Sequence, residues 1–267
     1  MVFLLLSCMR HPSPDQRQHI GGSRPADLVV PPGWKGEPLP AVFLLHGLSS
    51  SARNQDRYMR FSRLVDELDF LLVLPNGTPR SPDGLAAWNA TDACCSPDGV
   101  DDVAYLSGLM DELEDMGAAG FYFTGHSNGG FMSYRMACEQ PERIAAIASL
   151  AGATWLEASD CAADAPVDML QIHGSDDAIV PYAGRSGKYP GARETAARWA
   201  SRAGCAPPVE GAERSLVLRP GADTRREVWS CPPPHRVELW TIEGAGHIPL
   251  VNGDYARAVV EWLLAEH

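Results

Sequence analysis

The stretch FYFTGHSNGG, residues 121–130, constrains the fold of this chain more than any other. Its aromatic first half predicts a short buried strand, and residues 131–139 have the spacing of a helix. Between them, Ser127 is the centre of a Gly-x-Ser-x-Gly sequence. A strand, one sharp turn that carries a serine, and a helix are together typical of a nucleophile elbow. The alternative is an ordinary glycine-rich turn, because so short a pattern also recurs by chance.

The glycines around Ser127 fit the steric demands of such a turn. Gly125 and Gly129 have no side chains, so the strand and the helix can pass close to each other. A serine at this turn has a strained backbone, and the helix that follows directs its free N–H groups and positive dipole end toward it. Negative charge that develops beside the serine would therefore be stabilised.

A serine hydroxyl is a weak nucleophile that needs a base, and the base needs a carboxylate to orient it. Residues 172–181, IHGSDDAIVP, and residues 242–249, IEGAGHIP, each follow a predicted strand. Catalytic groups in parallel sheets gather at the carboxyl ends of strands, so Asp177 and His247 are the candidate carboxylate and base. The order serine, aspartate, histidine is that of the α/β-hydrolase triad. Asp177 is preferred over Asp176 because it fits a His-Gly-x-x-Asp-x-x-Val-Pro spacing.

An oxyanion that forms on the substrate needs two fixed backbone donors. The N–H of Asn128, the residue after the candidate nucleophile, is predicted to be one of them. The other is predicted in the loop that follows the first buried strand, where residues 46–48 are His-Gly-Leu and the Leu48 N–H is the candidate. The alternative for this loop is a plain strand-to-helix turn.

Predicted strands and helices alternate along the chain. Apolar runs predict strands at residues 41–47, 70–74, 144–150, 167–172 and 237–242, and helical spacing predicts helices at residues 56–68, 101–116, 194–203 and 255–264. This alternation predicts an α/β-hydrolase fold, with a mostly parallel central sheet and helices on both faces. Residues 25–267 are predicted to form one catalytic domain in which residues 27–30 are an early edge strand. Residues 1–24 are predicted to be a lead-in, the remnant of a lipoprotein or secretory signal.

Charge and hydropathy argue against two classes of function. The net charge of −12 disfavours a nucleic-acid-binding surface and adhesion to anionic lipid. No apolar run approaches the ~20 residues that span a bilayer, so no integral membrane segment is expected. Residues 5–8, LLSC, resemble a bacterial lipoprotein cleavage box, which predicts a lipid anchor at Cys8. The alternative is an apolar tail without that role.

The other six cysteines are enough for three disulfide bonds, which predicts a secreted or cell-envelope protein. Cys205 is predicted to pair with Cys231. A bond between the adjacent Cys94 and Cys95 would be strained, so one of the two is predicted to pair with Cys138. The alternative is six buried free thiols in a cytosolic enzyme. None of the cysteines has the spacing of a zinc site, so no metal is expected.

These motifs together resemble the polyhydroxybutyrate-depolymerase and feruloyl-esterase group of secreted α/β-hydrolases, related to carbohydrate esterase family one. The stretches that carry the resemblance are LHG at 45–47, LPNG at 74–77, WNA at 88–90, CC at 94–95, VDDV at 100–103, GHSNGG at 125–130 and HGSDD at 173–177. The resemblance implies that Trp88 and Asn89 line the substrate pocket. The alternative is that Trp88 is a core anchor under the long loop of residues 78–100.

Two departures from the group argue against degradation of a polymer. Many members have Trp-Pro after the catalytic histidine, where this chain has Ile248 and Pro249. The sequence also shows no linker and no polymer-binding module after the predicted catalytic domain.

The sequence therefore predicts a serine carboxylic-ester hydrolase that needs no cofactor. Its predicted substrates are small-molecule or oligomeric esters of feruloyl, acetyl or hydroxyalkanoate type, and the reaction would pass through an acyl-enzyme on Ser127. Two alternatives stay open. The same triad could serve a peptidase or an acyl transferase, or the chain could be a catalytically inactive binding protein on this scaffold.

Overall fold

A computed structural model describes residues 16–80, 86–95, 99–161, 165–218 and 223–265. The predicted lipid anchor at Cys8 lies outside the described residues. The strands of the described part are β1 (Arg17–Ile20), β2 (Ala26–Val29), β3 (Leu39–Leu45), β4 (Leu71–Leu74), β5 (Thr78–Pro79), β6 (Ala86–Ala87), β7 (Ala118–His126), β8 (Ile144–Leu150), β9 (Asp168–Gly174), β10 (Gly184–Arg185), β11 (Tyr189–Pro190), β12 (Ala206–Arg214), β13 (Thr224–Ser230) and β14 (Val237–Ile242). The α-helices are α1 (Ala52–Met59), α2 (Val65–Leu68), α3 (Asp102–Asp115), α4 (Asn128–Glu139), α5 (Ala192–Arg202) and α6 (Gly253–Leu264).

The central sheet has ten strands in the order β1-β2-β4-β3-β7-β8-β9-β14-β13-β12. The six strands from β4 to β14 are parallel, and an antiparallel pair flanks them at each edge. This sheet confirms the predicted α/β-hydrolase fold. Because the six parallel strands point the same way, the loops after β3, β7, β9 and β14 all leave from one edge.

Both faces of the sheet are buried, which explains the continuous apolar runs in the sequence. Side chains alternate between the two faces along β3. Phe43 packs in the core under α3, α4 and α5, whereas its neighbours Val42 and Leu44 pack in the core under α1 and α6. Local signals set the helix boundaries. Asp101, for example, caps α3 by accepting the Ala104 N–H at 2.8 Å.

The edges of the sheet differ from the prediction. Residues 27–30 were expected to form the edge strand, but β1 lies outside them and pairs antiparallel with β2. Residues 17–20, predicted from the sequence to belong to the lead-in, form this outermost strand of the central sheet. The predicted helix at residues 56–68 is interrupted because Arg60 has a φ of 64°, which ends α1 in a left-handed cap.

The six cysteines of the described residues form three disulfide bonds. The pairing of Cys205 with Cys231 is confirmed. The predicted bond from Cys138 to one of the adjacent cysteines is wrong, because Cys138 pairs with Cys161 across a Cα–Cα distance of 5.1 Å. Cys94 and Cys95 pair with each other instead, and Cys95 adopts a φ of 123° in doing so.

In the described part of the chain, no helix is both long enough and apolar enough to cross a membrane.

Candidate active site

Ser127 lies at a sharp turn between the end of β7 and the start of α4, with φ 54° and ψ −118°. Few residues adopt such a conformation unless the surrounding structure imposes it. The two glycines around it make the turn sterically feasible, as predicted. A Cβ on Gly125 would lie 2.6 Å from the Gly129 carbonyl carbon, and one on Gly129 would collide with the Leu45 carbonyl oxygen. The tight crossing of strand and helix thus presents Ser127 at the edge of the sheet.

Asp177 and His247 meet at the same edge, although 70 positions separate them in the sequence. His247 Nδ1 donates to Asp177 Oδ2 at 2.7 Å, and both side chains are buried. The other carboxylate oxygen, Oδ1, accepts the backbone N–H groups of Ile179 and Val180, each at 2.9 Å. The neighbouring Asp176 is exposed, and its side chain accepts a hydrogen bond from Ser175.

A second buried imidazole shares the Asp177 carboxylate, with His173 Nε2 3.3 Å from Oδ2. Gln171 fixes the tautomer of this ring, because its amide N–H group donates to His173 Nδ1 at 2.9 Å. His173 Nε2 therefore carries the proton, which it shares between Asp177 and the Val180 carbonyl oxygen. Burial alone would raise the pKa of Asp177, but the hydrogen bonds from His173, His247 and Val180 outweigh it and hold that pKa well below its usual range.

Ser127 and His247 line one cavity of about 500 Å³. Because His247 Nδ1 donates to Asp177, its Nε2 is the nitrogen that can accept a proton. Within the described residues, no hydrogen bond joins the Ser127 hydroxyl to this ring. Such catalytic contacts are often long without substrate, and rotation about χ1 of Ser127 moves its hydroxyl through three staggered positions.

His126 is a feature of the site that the sequence did not single out. Its Nε2 donates to the backbone carbonyl oxygen of His247 at 2.8 Å, and the centroids of the two rings are 4.8 Å apart. Burial lowers the pKa of His126 to about 4, so the ring is neutral at pH 7. Tyr58 packs edge-on against His126 and donates to the Pro249 carbonyl oxygen at 2.8 Å. Together these contacts fix the loop that carries His247.

The two candidate oxyanion donors are close to Ser127. Asn128 is the first residue of α4, so its N–H has no carbonyl acceptor one turn earlier in the helix. Leu48 lines the cavity with Ser127, and the neighbouring Gly47 approaches so closely that a Cβ there would be 3.6 Å from Ser127 Cβ. Within the described residues, neither N–H is bonded to a backbone carbonyl oxygen. Both amides are therefore available to a ligand.

Trp88 and Asn89 are not among the residues that line this cavity. Trp88 is fully buried, and its indole donates to the His46 carbonyl oxygen at 3.0 Å. Its backbone exchanges two hydrogen bonds with the Asn128 side chain. Asn89 donates its backbone N–H to the buried Asp102 carboxylate at 2.7 Å. This placement favours the core-anchor interpretation of Trp88 over a position in the substrate pocket.

His46 supports the loops beside the site. Its Nδ1 donates to the Gly47 carbonyl oxygen, and its Nε2 accepts the Gly77 N–H at 2.9 Å. Burial lowers the pKa of this ring, so it stays neutral. No group of three or more His, Cys, Asp or Glu side chains in the described ranges could hold a metal ion.

The parallel sheet and the strand–serine–helix turn define an α/β-hydrolase. A solved structure of the same fold, the acetyl xylan esterase from Aspergillus awamori, is 18% identical and superimposes with a TM-score of 0.66 over 92% of this chain and 98% of its own. No protein-family model matches the chain.

Two relatives with similar sequences identify the family to which the chain belongs. A probable feruloyl esterase C from Aspergillus niger is 30% identical over 211 residues, which are 75% of this chain and 69% of that protein. The esterase NocK of Nocardia uniformis is 29% identical over 267 residues, 90% of this chain and 75% of that protein. The chain belongs to the feruloyl esterase-like family and is a carboxylic ester hydrolase.

Proposed function

We propose that this protein hydrolyses uncharged carboxylic esters through an acyl-enzyme, with Ser127 as nucleophile, His247 as general base and acid, and Asp177 as the group that orients the imidazole. The observation that carries the proposal is the hydrogen bond of 2.7 Å from His247 Nδ1 to Asp177 Oδ2, next to a cavity that Ser127 also lines. Because this contact uses Nδ1, the other ring nitrogen, Nε2, can act as the base on the side of the ring away from the carboxylate.

In the first half of the reaction, the Ser127 oxygen attacks the ester carbonyl carbon while His247 Nε2 takes the hydroxyl proton. The carbonyl oxygen becomes an oxyanion, which accepts hydrogen bonds from the Leu48 and Asn128 amides. When the tetrahedral intermediate collapses, the ester C–O bond breaks. His247 then returns the proton to the leaving alcohol.

In the second half, a water molecule attacks the acyl-enzyme and gives one proton to His247. The second intermediate collapses to release the carboxylic acid, and Ser127 recovers its proton from the imidazole. Throughout, the ionised Asp177 stabilises the imidazolium and keeps the ring in one tautomer. Its lowered pKa means that it remains a carboxylate across the neutral pH range.

The composition of the cavity lining supports an uncharged substrate. The described part of its lining includes Leu48, Tyr58, Ile179 and Ile248 but no Asp, Glu, Lys or Arg. A charged group would lose hydration there without gaining an ion pair. We further propose that the protein works outside the reducing cytosol, because its three disulfide bonds persist in oxidising compartments.

Hydrolysis of p-nitrophenyl acetate by Ser127→Ala tests the proposal. We expect kcat to fall by about 10⁴-fold or more, because no nucleophile remains. Ser50→Ala is the matched control, since it removes another hydroxyl from the same cavity lining and should keep kcat within about twofold. A folded Ser127→Ala variant with wild-type activity would overturn the mechanism.

A further inference from the structure

Most of the exposed large apolar side chains in the described part of the chain line the catalytic cavity or the cavity next to it. The large hydrophobic residues that are exposed in the described part of the chain are Leu48, Ile179, Val209, Leu218, Ile248 and Leu250. All of them except Val209 line either the catalytic cavity or a cavity next to it. Scattered exposed apolar residues are ordinary on a protein surface, but a contiguous group marks a binding surface.

The neighbouring cavity has a volume of about 350 Å³ and shares Ile248 with the catalytic cavity. Its walls come from the loop after β14 and from the segment around Leu218. The two walls are fixed to each other, because the Leu218 N–H donates to the Leu250 carbonyl oxygen at 2.8 Å and Val217 pairs with Val251. The walls of the second cavity are therefore fixed by the fold, and its lining residues Gly246 and Ile248 flank His247 in the sequence.

Among the residues that the structure describes, neither cavity is lined by an Asp, Glu, Lys or Arg side chain. In the second cavity, Leu218 and Leu250 have exposed fractions of 66% and 70%, so each presents a large apolar surface to whatever enters. Removing such surface from water favours binding by about 0.8 kcal/mol for each buried methylene. A hydrocarbon chain fits this lining, whereas a sugar or a charged group would leave polar atoms without partners.

We propose that the second cavity is an apolar subsite that binds the remote hydrocarbon part of the ester. This inference rests on the proposed function, because the subsite acts on the ester held at Ser127. The substrate class is then uncharged esters in which the acyl or alcohol chain is long enough to pass Ile248. Each methylene that reaches the subsite should raise kcat/KM by about fourfold, the equivalent of 0.8 kcal/mol.

The test is a chain-length series of p-nitrophenyl esters from acetate to decanoate, run beside a series of alkyl acetates. The first series places the hydrocarbon chain on the acyl side, and the second places it on the alcohol side. The double variant Leu218→Ser/Leu250→Ser should lose at least tenfold in kcat/KM on the long members of one series and less than twofold on p-nitrophenyl acetate. Because both side chains are exposed, these substitutions should leave the fold intact.

Val209→Ser is the matched control, since Val209 is 59% exposed on β12 and lines neither cavity. It should behave like wild type on every ester. Equal kcat/KM values for the double variant and wild type on all members of both series would overturn the subsite, as would an equal loss in Val209→Ser.

A binding measurement separates this inference from the catalytic proposal. In the Ser127→Ala background, calorimetry measures the binding of p-nitrophenyl decanoate and decyl acetate. The ester whose series shows the chain-length dependence should bind at least tenfold more weakly after the Leu218→Ser/Leu250→Ser change. If the Leu218→Ser/Leu250→Ser change weakens binding but the wild-type protein has no esterase activity, the catalytic triad is refuted and the subsite stands. Unchanged binding of both esters would refute the subsite alone.

Discussion

At the scale of single residues, Asp177 is the most constrained group of the site. Its carboxylate contacts two imidazoles and two backbone N–H groups, and it is fully enclosed. The sequence singled it out because a carboxylate after one strand and a histidine after another are brought together only by a parallel sheet. The tautomers of His173 and His126 could not be predicted, since they depend on Gln171 and on the His247 carbonyl oxygen.

Asp177→Asn should lower kcat by about 10⁴-fold, because an amide can stabilise the wrong tautomer of His247 and cannot stabilise the imidazolium. Asp176→Asn changes the adjacent aspartate in the same way, and kcat should stay within about twofold because that side chain is exposed and does not contact His247. Steady-state kinetics on p-nitrophenyl acetate provide the comparison. Similar losses in the two variants would show that the carboxylate contact is not what orients the base.

The buried neutral ring of His126 makes stability depend on pH. Its pKa is about 4 in the folded protein, against about 6.5 in an unfolded chain. Between these values the unfolded state binds more protons, so the free energy of unfolding should fall as the pH falls from about 7 to 4. At pH 5 this site alone should account for about 2 kcal/mol.

Urea unfolding at pH 7.5 and pH 5 measures this dependence. His126→Gln removes the titrating group, so the stability difference between the two pH values should shrink by about 2 kcal/mol relative to wild type. An unchanged difference would mean that His126 titrates alike in the folded and unfolded states.

At the scale of elements, the crossing of β7 and α4 positions the nucleophile, and two helical glycines provide a test. Gly129→Ala should destabilise the protein by about 3 kcal/mol, because the new Cβ would collide with the Leu45 carbonyl oxygen of β3. Gly108→Ala in α3 should have the opposite sign and stabilise by about 0.5–1 kcal/mol, since a Cβ there meets open space. Chemical denaturation distinguishes the two, and a stable Gly129→Ala variant would contradict the crossing described.

Buried strands could be predicted from their apolar runs, whereas the solvent-exposed and charged strands could not. The bounds predicted for β8 and β14 agree with the structure to the residue, because both are mostly apolar runs that are almost entirely buried. The antiparallel strands β12 and β13 were missed, since β12 is mostly exposed and contains two prolines, and β13 is rich in charge. Edge strands lack the apolar signal on which such predictions depend.

At the scale of the whole molecule, two of the disulfide bonds, Cys138–Cys161 and Cys205–Cys231, join parts of the chain that the fold brings together. Cys138 at the end of α4 meets Cys161 after a short 3₁₀-helix, and this proximity depends on how α4 lies on the sheet. No spacing rule in the sequence contains that information, which is why this pairing was predicted wrongly. Cys205 and Cys231 flank the hairpin of β12 and β13, which brings the two residues together.

Thiol titration tests whether the cysteines are in disulfide bonds. Six of the seven cysteines are in disulfide bonds, so the denatured, unreduced protein should show at most one titratable thiol for each chain, that of Cys8. Reduction should release six further thiols and lower the free energy of unfolding by about 2–4 kcal/mol for each long-range bond. Six or seven thiols before reduction would contradict both the disulfide bonds and the proposed oxidising compartment.

Labelling with a fluorophosphonate, followed by peptide mapping, tests the central claim most directly, because only an activated serine reacts rapidly with this electrophile. We expect one adduct for each chain, on the oxygen of Ser127, and at least 100-fold slower labelling in Asp177→Asn. Ser127→Ala should not be labelled, whereas Ser50→Ala should be labelled like wild type. An adduct on a different residue, or undiminished labelling of Ser127→Ala, would contradict the assignment of Ser127 as the nucleophile.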